Sequence, residues 1–221
     1  MIAEQTTIAA CIETLRKHPD ISDKRTIAQT YKHLGNAVDS SLYFPDEHSK
    51  IVLGDDAAAI SQSDGSHLVF AAEGIITHFL NKDPWFAGYS AVMVNISDIC
   101  AMGGLPLAVT DTLYVSDAEE ASEIWDGMLA AASAYGIPIA GGHTCYRSDH
   151  KALSVSILGK ATAHILTSFN AKPGETLVLA IDMNGTYYKD YAFWNSSTTS
   201  SAKVLQENAR LPYEIANKKL S

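Results

Sequence analysis

The chain has 221 residues, of which 47% are hydrophobic and 19% are charged, and its formal net charge at pH 7 is −9. This length is enough for one large domain, or for one domain and part of another. The apolar content allows a sizeable core and excludes a disordered chain, while the acidic balance argues against nucleic acid as a partner. A nucleotide is still compatible with it, because a bound cation can join a phosphate to an acidic protein.

Cysteine usage and the N-terminus indicate where the protein works. Cys11, Cys100 and Cys145 form no C-x-x-C pair, which is typical of a protein of the reducing cytosol. The first residues lack the basic start and long apolar run of a signal peptide. No stretch approaches the roughly 18 apolar residues of a membrane-spanning helix. We therefore expect a cytoplasmic protein without a membrane partner.

The first part of the chain predicts helices and then strands. Apolar residues recur at helical spacing on both sides of Pro19, which predicts two short helices within residues 1–45. A turn is predicted at 44–50. Short apolar runs bounded by turn residues then predict strands at 51–53 and 67–73.

The central part of the chain predicts two long helices among strands. Asp83 and Pro84 are a typical N-cap and first helical residue for a helix that runs to about Met102. Ser116 and Glu119 predict a capping box for the next helix, which Gly136 would end. Three further strands are predicted, at 107–115, 137–142 and 152–160. The order of elements predicts an α/β or α+β domain that closes near residue 163.

A different region follows the central domain. The run LVLAID at 177–182 predicts a strand, and the last residues predict a helix interrupted at Pro212. About 55 residues are few for a separate core. We predict three parts: an N-terminal helical segment at 1–45, the main domain at 46–163, and the incomplete beginning of a C-terminal domain at 164–221.

Two pairs of polar residues are candidates for a cation site. Asp55 and Asp56 directly follow a strand and precede small residues, and Mg²⁺ in proteins needs only one or two carboxylates when phosphates supply the other ligands. Asn95 and Asp98 share one face of an otherwise apolar helix, where a carboxylate costs stability unless it is paired or binds a cation. The alternatives are a solvated turn for the first pair and a structural hydrogen bond for the second.

Two strand ends carry the remaining candidates. Gly141 and Gly142 allow backbone N–H groups to turn toward an anion, and His143 and Thr144 add polar side chains directly after them. Glu73 ends another strand, from where a carboxylate can reach into a cleft. The alternatives are a tight turn with an incidental histidine and an ordinary exposed glutamate.

Together these segments resemble the AIR synthase-related superfamily, which includes aminoimidazole ribonucleotide synthase, thiamine-monophosphate kinase and selenophosphate synthetase. The segments that carry the resemblance lie within residues 50–182 and are GDDAAAI at 54–60, DPWFAGYSAVMVNISDICAMGGLPLAV at 83–109, GGHT at 141–144 and LSVSILGKA at 153–161. Four motifs in the same order make the resemblance specific. The chain contains no P-loop, dinucleotide-binding or protein-kinase motif, so the nucleotide site would be of another type.

The resemblance implies a fold and a function. The fold would be a four-stranded mixed sheet with helices on one face, which pairs with a second copy into a shared β-barrel and precedes a second α/β domain. Asp55 and Asp98 would hold Mg²⁺ on the phosphates of ATP. The nucleotide would also meet Asp56, Glu73 and Asn95, together with the segment Gly141-Gly142-His143-Thr144. The reaction would be an ATP-dependent phosphotransfer or synthesis on a small-molecule substrate.

Departures from the family pattern separate this chain from its characterised branches. His143 stands where the kinase members usually have aspartate, and Glu73 ends a strand that usually ends in aspartate. Cys11 lies in a helical stripe and lacks the glycine-rich setting of the reactive residue in selenophosphate synthetases. These departures predict a distinct branch whose substrate and catalytic residues the motifs leave unassigned. The alternative is a non-catalytic nucleotide-binding or dimerisation protein with the same fold.

Overall fold

A computed structural model describes residues 7–34, 51–53, 55–162, 164–191 and 194–217. The chain divides into two compact units, Met1–Tyr43 and Phe44–Ser221. The predicted turn at 44–50 and Gly54 of the first acidic motif lie outside the described residues. The predicted boundary near residue 163 stays a prediction.

The first unit contains the two predicted helices. They are α1 (Ile8–Lys17) and α2 (Pro19–Leu34). The Thr7 hydroxyl caps α1 by accepting a hydrogen bond from the Ala10 N–H at 3.3 Å, which satisfies a donor that the first helical turn leaves open. Pro19 begins α2, where its missing N–H costs nothing.

The second unit is built on one mixed sheet. Its strands are β1 (Ile51–Val52), β2 (Ala58–Ser61), β3 (His67–Ile75), β4 (Leu105–Tyr114), β5 (Ile139–Cys145) and β6 (Ala152–Ala161). Their order is β1-β2-β3-β6-β4-β5; the β4–β5 pair is parallel and the others are antiparallel. The predicted fold class is confirmed. The described sheet has six strands where four were expected, because β1 and β2 extend the edge beyond β3.

Helices cover one face of this sheet. They are α3 (Thr77–Lys82), α4 (Pro84–Ala101) and α5 (Ala118–Tyr135). The α4 helix packs on β3 and β6 and crosses α5. Its predicted N-cap is confirmed, since Asp83 Oδ1 accepts a hydrogen bond from the Phe86 N–H at 3.3 Å. None of the described helices is both long and apolar enough to cross a bilayer.

The predicted capping box of α5 is wrong by one residue. Asp117 is the N-cap, and its Oδ1 accepts from the Glu120 N–H at 3.0 Å. The Glu120 carboxylate accepts in turn from the Ser116 N–H at 2.7 Å. The cap lies one position later because Asp117 offers a carboxylate that is a better acceptor for the first helical N–H groups than the Ser116 hydroxyl.

Alternation along β6 shows which sheet face is the core. Leu153, Val155 and Ile157 are buried toward the helices, whereas the serines between them face the opposite side. The backbones of α4 and α5 approach closely where the two helices cross, since a Cβ added at Gly127 would lie 1.9 Å from the Trp85 carbonyl oxygen. Only glycine allows the two backbones to approach this closely.

The region after the sheet differs from its prediction. Residues 177–182 form no regular secondary structure, and Leu177 is 98% exposed. A strand needs a neighbouring strand to pair its backbone groups, and no described strand pairs with this segment. The hairpin β7 (Thr186–Tyr187) and β8 (Trp194–Asn195) follows it.

The last described element also differs from its prediction. The α6 helix (Ala202–Asn217) continues through Pro212, so the predicted interruption is wrong. Its packing against α4 and α5, with Leu205 buried, offsets the backbone hydrogen bond that the proline removes. The short elements β2, α3, β7 and β8 were not predicted, because they are too brief to show a periodic pattern.

Candidate functional site

The glycine pair lies inside a strand and not in a turn after one. Residues 141–144 belong to β5, which runs parallel to β4 with Asp111 opposite Gly142 and Thr112 opposite His143. The register shifts just before this point, and Gly141 has a φ of +136°. An extra residue at a bulge locally redirects the strand, and glycine accepts this backbone conformation where other residues are strained.

A buried aspartate that the sequence reasoning missed lies beside this bulge. Asp111 is 5% exposed, and neither of its carboxylate oxygens has a hydrogen-bond partner in another described residue. A Cβ at Gly142 would lie 2.2 Å from Asp111 Oδ1, so the carboxylate occupies the space that glycine leaves. Burial raises the pKa of Asp111, whereas a hydrogen bond from its own backbone N–H and the neighbouring His143 act in the opposite direction. The sequence feature that could have identified Asp111 as a candidate is its position as a single aspartate within the apolar run of β4.

The two polar residues of the motif lie on opposite sides of the sheet. His143 is exposed on the face away from Asp111, and its ring meets that of Tyr114 edge-on at a centroid distance of 6.3 Å. Thr144 is half-buried and pairs with Leu113, on the helix-covered face. The predicted motif therefore presents groups to both faces.

The pair on α4 is divided between the core and the surface. Asn95 is fully buried, and its Nδ2 donates to the Ala91 carbonyl oxygen at 2.7 Å. Its Oδ1 has no partner in the described part of the chain. Asp98 is half-buried, with one carboxylate oxygen shielded from solvent. Both residues thus bring buried oxygens to an apolar helix.

Asp55 is engaged with the segment that follows the sheet. Its Oδ2 accepts from the Ser168 N–H at 2.7 Å and from the Ser168 hydroxyl at 3.1 Å. Its Oδ1 accepts from the Asp56 N–H at 3.2 Å. Asp56 itself is exposed. Both oxygens of Asp55 already accept hydrogen bonds, so a cation there would use their remaining lone pairs.

The described residues fit a cation that phosphates help to hold, and not a site made by protein alone. No group of three His, Cys, Asp or Glu side chains in the described ranges is placed to hold a metal ion. Mg²⁺ prefers oxygen ligands and keeps positions for phosphate and water. The buried oxygens of Asn95 and Asp111 that lack a partner in another described residue are hard ligand atoms of the type that Mg²⁺ prefers. A buried polar atom without a partner costs stability, and a bound ligand would remove that cost.

Glu73 stands apart from the other predicted residues. It follows Val69 and Ala71 on the helix-covered face of β3, where it reaches the rim of a cleft of about 840 Å³. None of the other predicted site residues lines this cleft. The Glu73 backbone carbonyl accepts a hydrogen bond from the Ser154 hydroxyl at 3.1 Å, which fixes the strand end.

Comparison with known proteins finds relatives that agree with the family resemblance of the sequence motifs. The family described as AIR synthase related protein, N-terminal domain, matches residues 54–161. An uncharacterized protein of Synechocystis sp. is 43% identical over 170 residues, which are 76% of this chain and 52% of that protein. The thiamine-monophosphate kinase of Bacillus subtilis is 33% identical over 115 residues, which are 49% of this chain and 35% of the kinase.

A solved structure shows the same fold. The structure described as AaThiL complexed with AMPPCP and TMP superimposes with a TM-score of 0.51 at 23% identity, and the match covers 64% of this chain and 42% of that one. The chain thus spans about half the length of the relatives that it matches. Residues 54–161 of this protein are an N-terminal domain of the AIR synthase-related family.

Proposed function

We propose that this domain binds ATP with Mg²⁺ and serves an ATP-dependent phosphotransferase or synthase of the cytoplasm. The observation that supports the proposal is the buried Asp111 carboxylate, which has no hydrogen-bond partner in another described residue and lies against Gly142 of the family motif. A carboxylate in this state is stabilised by a bound cation. The similarity to a thiamine-monophosphate kinase supports a nucleotide as the partner of that cation.

The residues would have distinct roles in this proposal. At most two of the carboxylates Asp55, Asp98 and Asp111 would hold any one Mg²⁺, with phosphates and water as its other ligands, and the ion neutralises charge on the phosphates when it is bound. Backbone N–H groups of the segment Gly141-Gly142-His143-Thr144 would face the phosphates. Asp56 and Asn95 complete the proposed nucleotide set, and Glu73, which the resemblance also assigns to it, is left out because it lies at a cleft that none of the other site residues lines. The substrate and the catalytic residues are not assigned.

Isothermal titration calorimetry with ATP and Mg²⁺ tests the proposal. We expect binding by the wild-type chain and weakening of about tenfold or more, equivalent to at least about 1.4 kcal/mol, in Asp98→Asn and in Asp111→Asn. Asp126→Asn is the matched control, because Asp126 is an exposed carboxylate on α5 outside the motifs. The fold of each variant is checked by circular dichroism.

Two results would contradict the nucleotide proposal. One is unchanged binding in both site variants; the other is no binding by the wild-type chain at millimolar ATP. The second result would favour the dimerisation alternative. Release of phosphate with candidate substrates then separates a catalyst from a protein that only binds the nucleotide.

A specific surface also supports pairing with a second copy. The sheet face away from the helices exposes Phe70, Leu107 and Tyr114, of which Phe70 is 48% exposed and lies opposite Leu158 of β6. Apolar side chains on an open sheet face favour burial against another protein. We expect a homodimer in analytical ultracentrifugation and a shift to monomer in Phe70→Lys. An unchanged sedimentation coefficient in that variant would contradict pairing through this face.

A further inference from the structure

The cleft at Glu73 has the size of a small-molecule site. It lies between the end of β3, one side of α4, and α6, and its volume is about 840 Å³. Ligand pockets for small organic molecules usually measure roughly 300–1,000 Å³. All of its walls belong to the second unit of the chain.

The walls of the cleft are mainly aromatic and aliphatic. Phe79 and Trp194 contribute aromatic rings to its lining, and Met93 of α4 contributes an aliphatic side chain. Trp194 is 40% exposed, and its Nε1 donates to the Asp182 carbonyl oxygen at 2.8 Å, which fixes the orientation of the ring. Such a surface favours a ligand with an apolar body.

The charge in the cleft has one sign. Glu73 is the only acidic side chain among the described residues that line it, and no Lys, Arg or His side chain lines it. Two other titratable groups there are neutral, because burial raises the pKa of the Cys100 thiol to about 12 and also raises the pKa of the Tyr135 hydroxyl. The cleft therefore attracts a cation and repels an anion.

From these features we infer that the cleft binds a small organic cation, with an aromatic or aliphatic body against α4 and its charged group beside Glu73. Aromatic faces carry a negative quadrupole that attracts ammonium-type groups, and a single carboxylate adds direct attraction. The nucleotide phosphates would be repelled by the same carboxylate. This site is separate from the proposed Mg²⁺–ATP site and does not depend on it.

Titration calorimetry of the full chain, without nucleotide and at low ionic strength, tests this inference. The probes are benzyltrimethylammonium, neutral benzyl alcohol and the benzoate anion, which share a phenyl ring and differ in charge. We expect the cation to bind about tenfold more tightly than the alcohol, and benzoate to bind more weakly than both. In Glu73→Gln the cation should lose most of this advantage, because only the attraction of the aromatic faces remains, while the affinity for the alcohol stays unchanged.

Two further variants locate the binding. Glu123→Gln is the matched control, since Glu123 is an exposed carboxylate on α5 that does not line the cleft, and it should bind like the wild type. Ala101→Trp places a large side chain at an exposed position of the cleft wall and should abolish binding of the cation. Urea unfolding confirms that each variant is folded.

Several results would overturn the inference. They are equal affinity for the cation and the alcohol, unchanged cation binding in Glu73→Gln, retained binding in Ala101→Trp, and no cation binding by the wild type at millimolar concentration. Because no nucleotide is present, these outcomes are independent of whether the domain binds ATP.

Discussion

Substitution of the two adjacent glycines in β5 separates two physical reasons for glycine at one site. Gly141 has a φ of +136°, and a Cβ there would meet nothing within 4 Å. At Gly142 the backbone angle is ordinary, but a Cβ would lie 2.2 Å from Asp111 Oδ1 and 2.4 Å from the Asp111 carbonyl oxygen. Alanine at the first position therefore strains the backbone, and alanine at the second collides with β4.

The magnitudes follow from these two mechanisms. Gly141→Ala should lower the free energy of unfolding by about 1–3 kcal/mol, the usual cost of a strained backbone conformation. Gly142→Ala should cost about 3 kcal/mol, at the upper end for overpacking, because one of the two obstacles is a backbone carbonyl that cannot rotate away. In an Asp111→Ala background the cost of Gly142→Ala should fall by about 1 kcal/mol without vanishing, since the carbonyl oxygen remains.

Equilibrium unfolding in urea measures these differences in a double-mutant cycle. Gly141→Ala should combine additively with Asp111→Ala, because their atoms do not meet. Gly74→Ala is the control, since a Cβ there would meet nothing within 4 Å and its φ is ordinary, so the change should stay within about 0.5 kcal/mol. A collision with β4 at Gly142 is contradicted if Gly142→Ala leaves the urea midpoint unchanged, or if its cost is the same with and without Asp111.

Two further predictions concern burial. Burial raises the pKa of Asp111 in the folded protein, so the metal-free chain should lose stability as pH rises from the ordinary pKa of 3.8 through the raised value. Asp111→Asn should remove this part of the pH dependence. Identical urea midpoints at each pH in both proteins would contradict this prediction. Gly127→Ala should destabilise by about 2 kcal/mol or more in urea unfolding, because overpacking against the Trp85 carbonyl exceeds the roughly 1 kcal/mol gain in helix propensity, and a stabilised variant would show that the helices can separate freely.

Much of the fold could be predicted from local patterns. The α4 helix follows from Asp83-Pro84 at its start, and β6 follows from the alternation of Leu153, Val155 and Ile157. These features depend on neighbours within a few residues, so a single sequence contains them. The predicted capping of α5 at Ser116 was wrong by one residue, because the adjacent polar residues Ser116 and Asp117 compete for the same N–H groups.

The strand predicted at 177–182 shows the limit of such patterns. Its apolar residues have the composition of a buried strand, yet Leu177 is almost fully exposed. A strand is stabilised by hydrogen bonds to a neighbour, and a run of residues carries no information about whether that neighbour is present. The composition of residues 177–182 favours a strand, but no described strand pairs with them, so no strand forms there.

The sequence by itself determined the family of the domain, the order of its main elements and which segments carry the motifs. Only the tertiary structure decided that Asp111 lies against Gly142, and that Glu73 faces a cleft which no other predicted site residue lines. The physical reason is that these neighbours are fixed by the parallel register of β4 and β5 and by the packing of α4 and α6. Such contacts join residues far apart in the chain, and local periodicity does not record them.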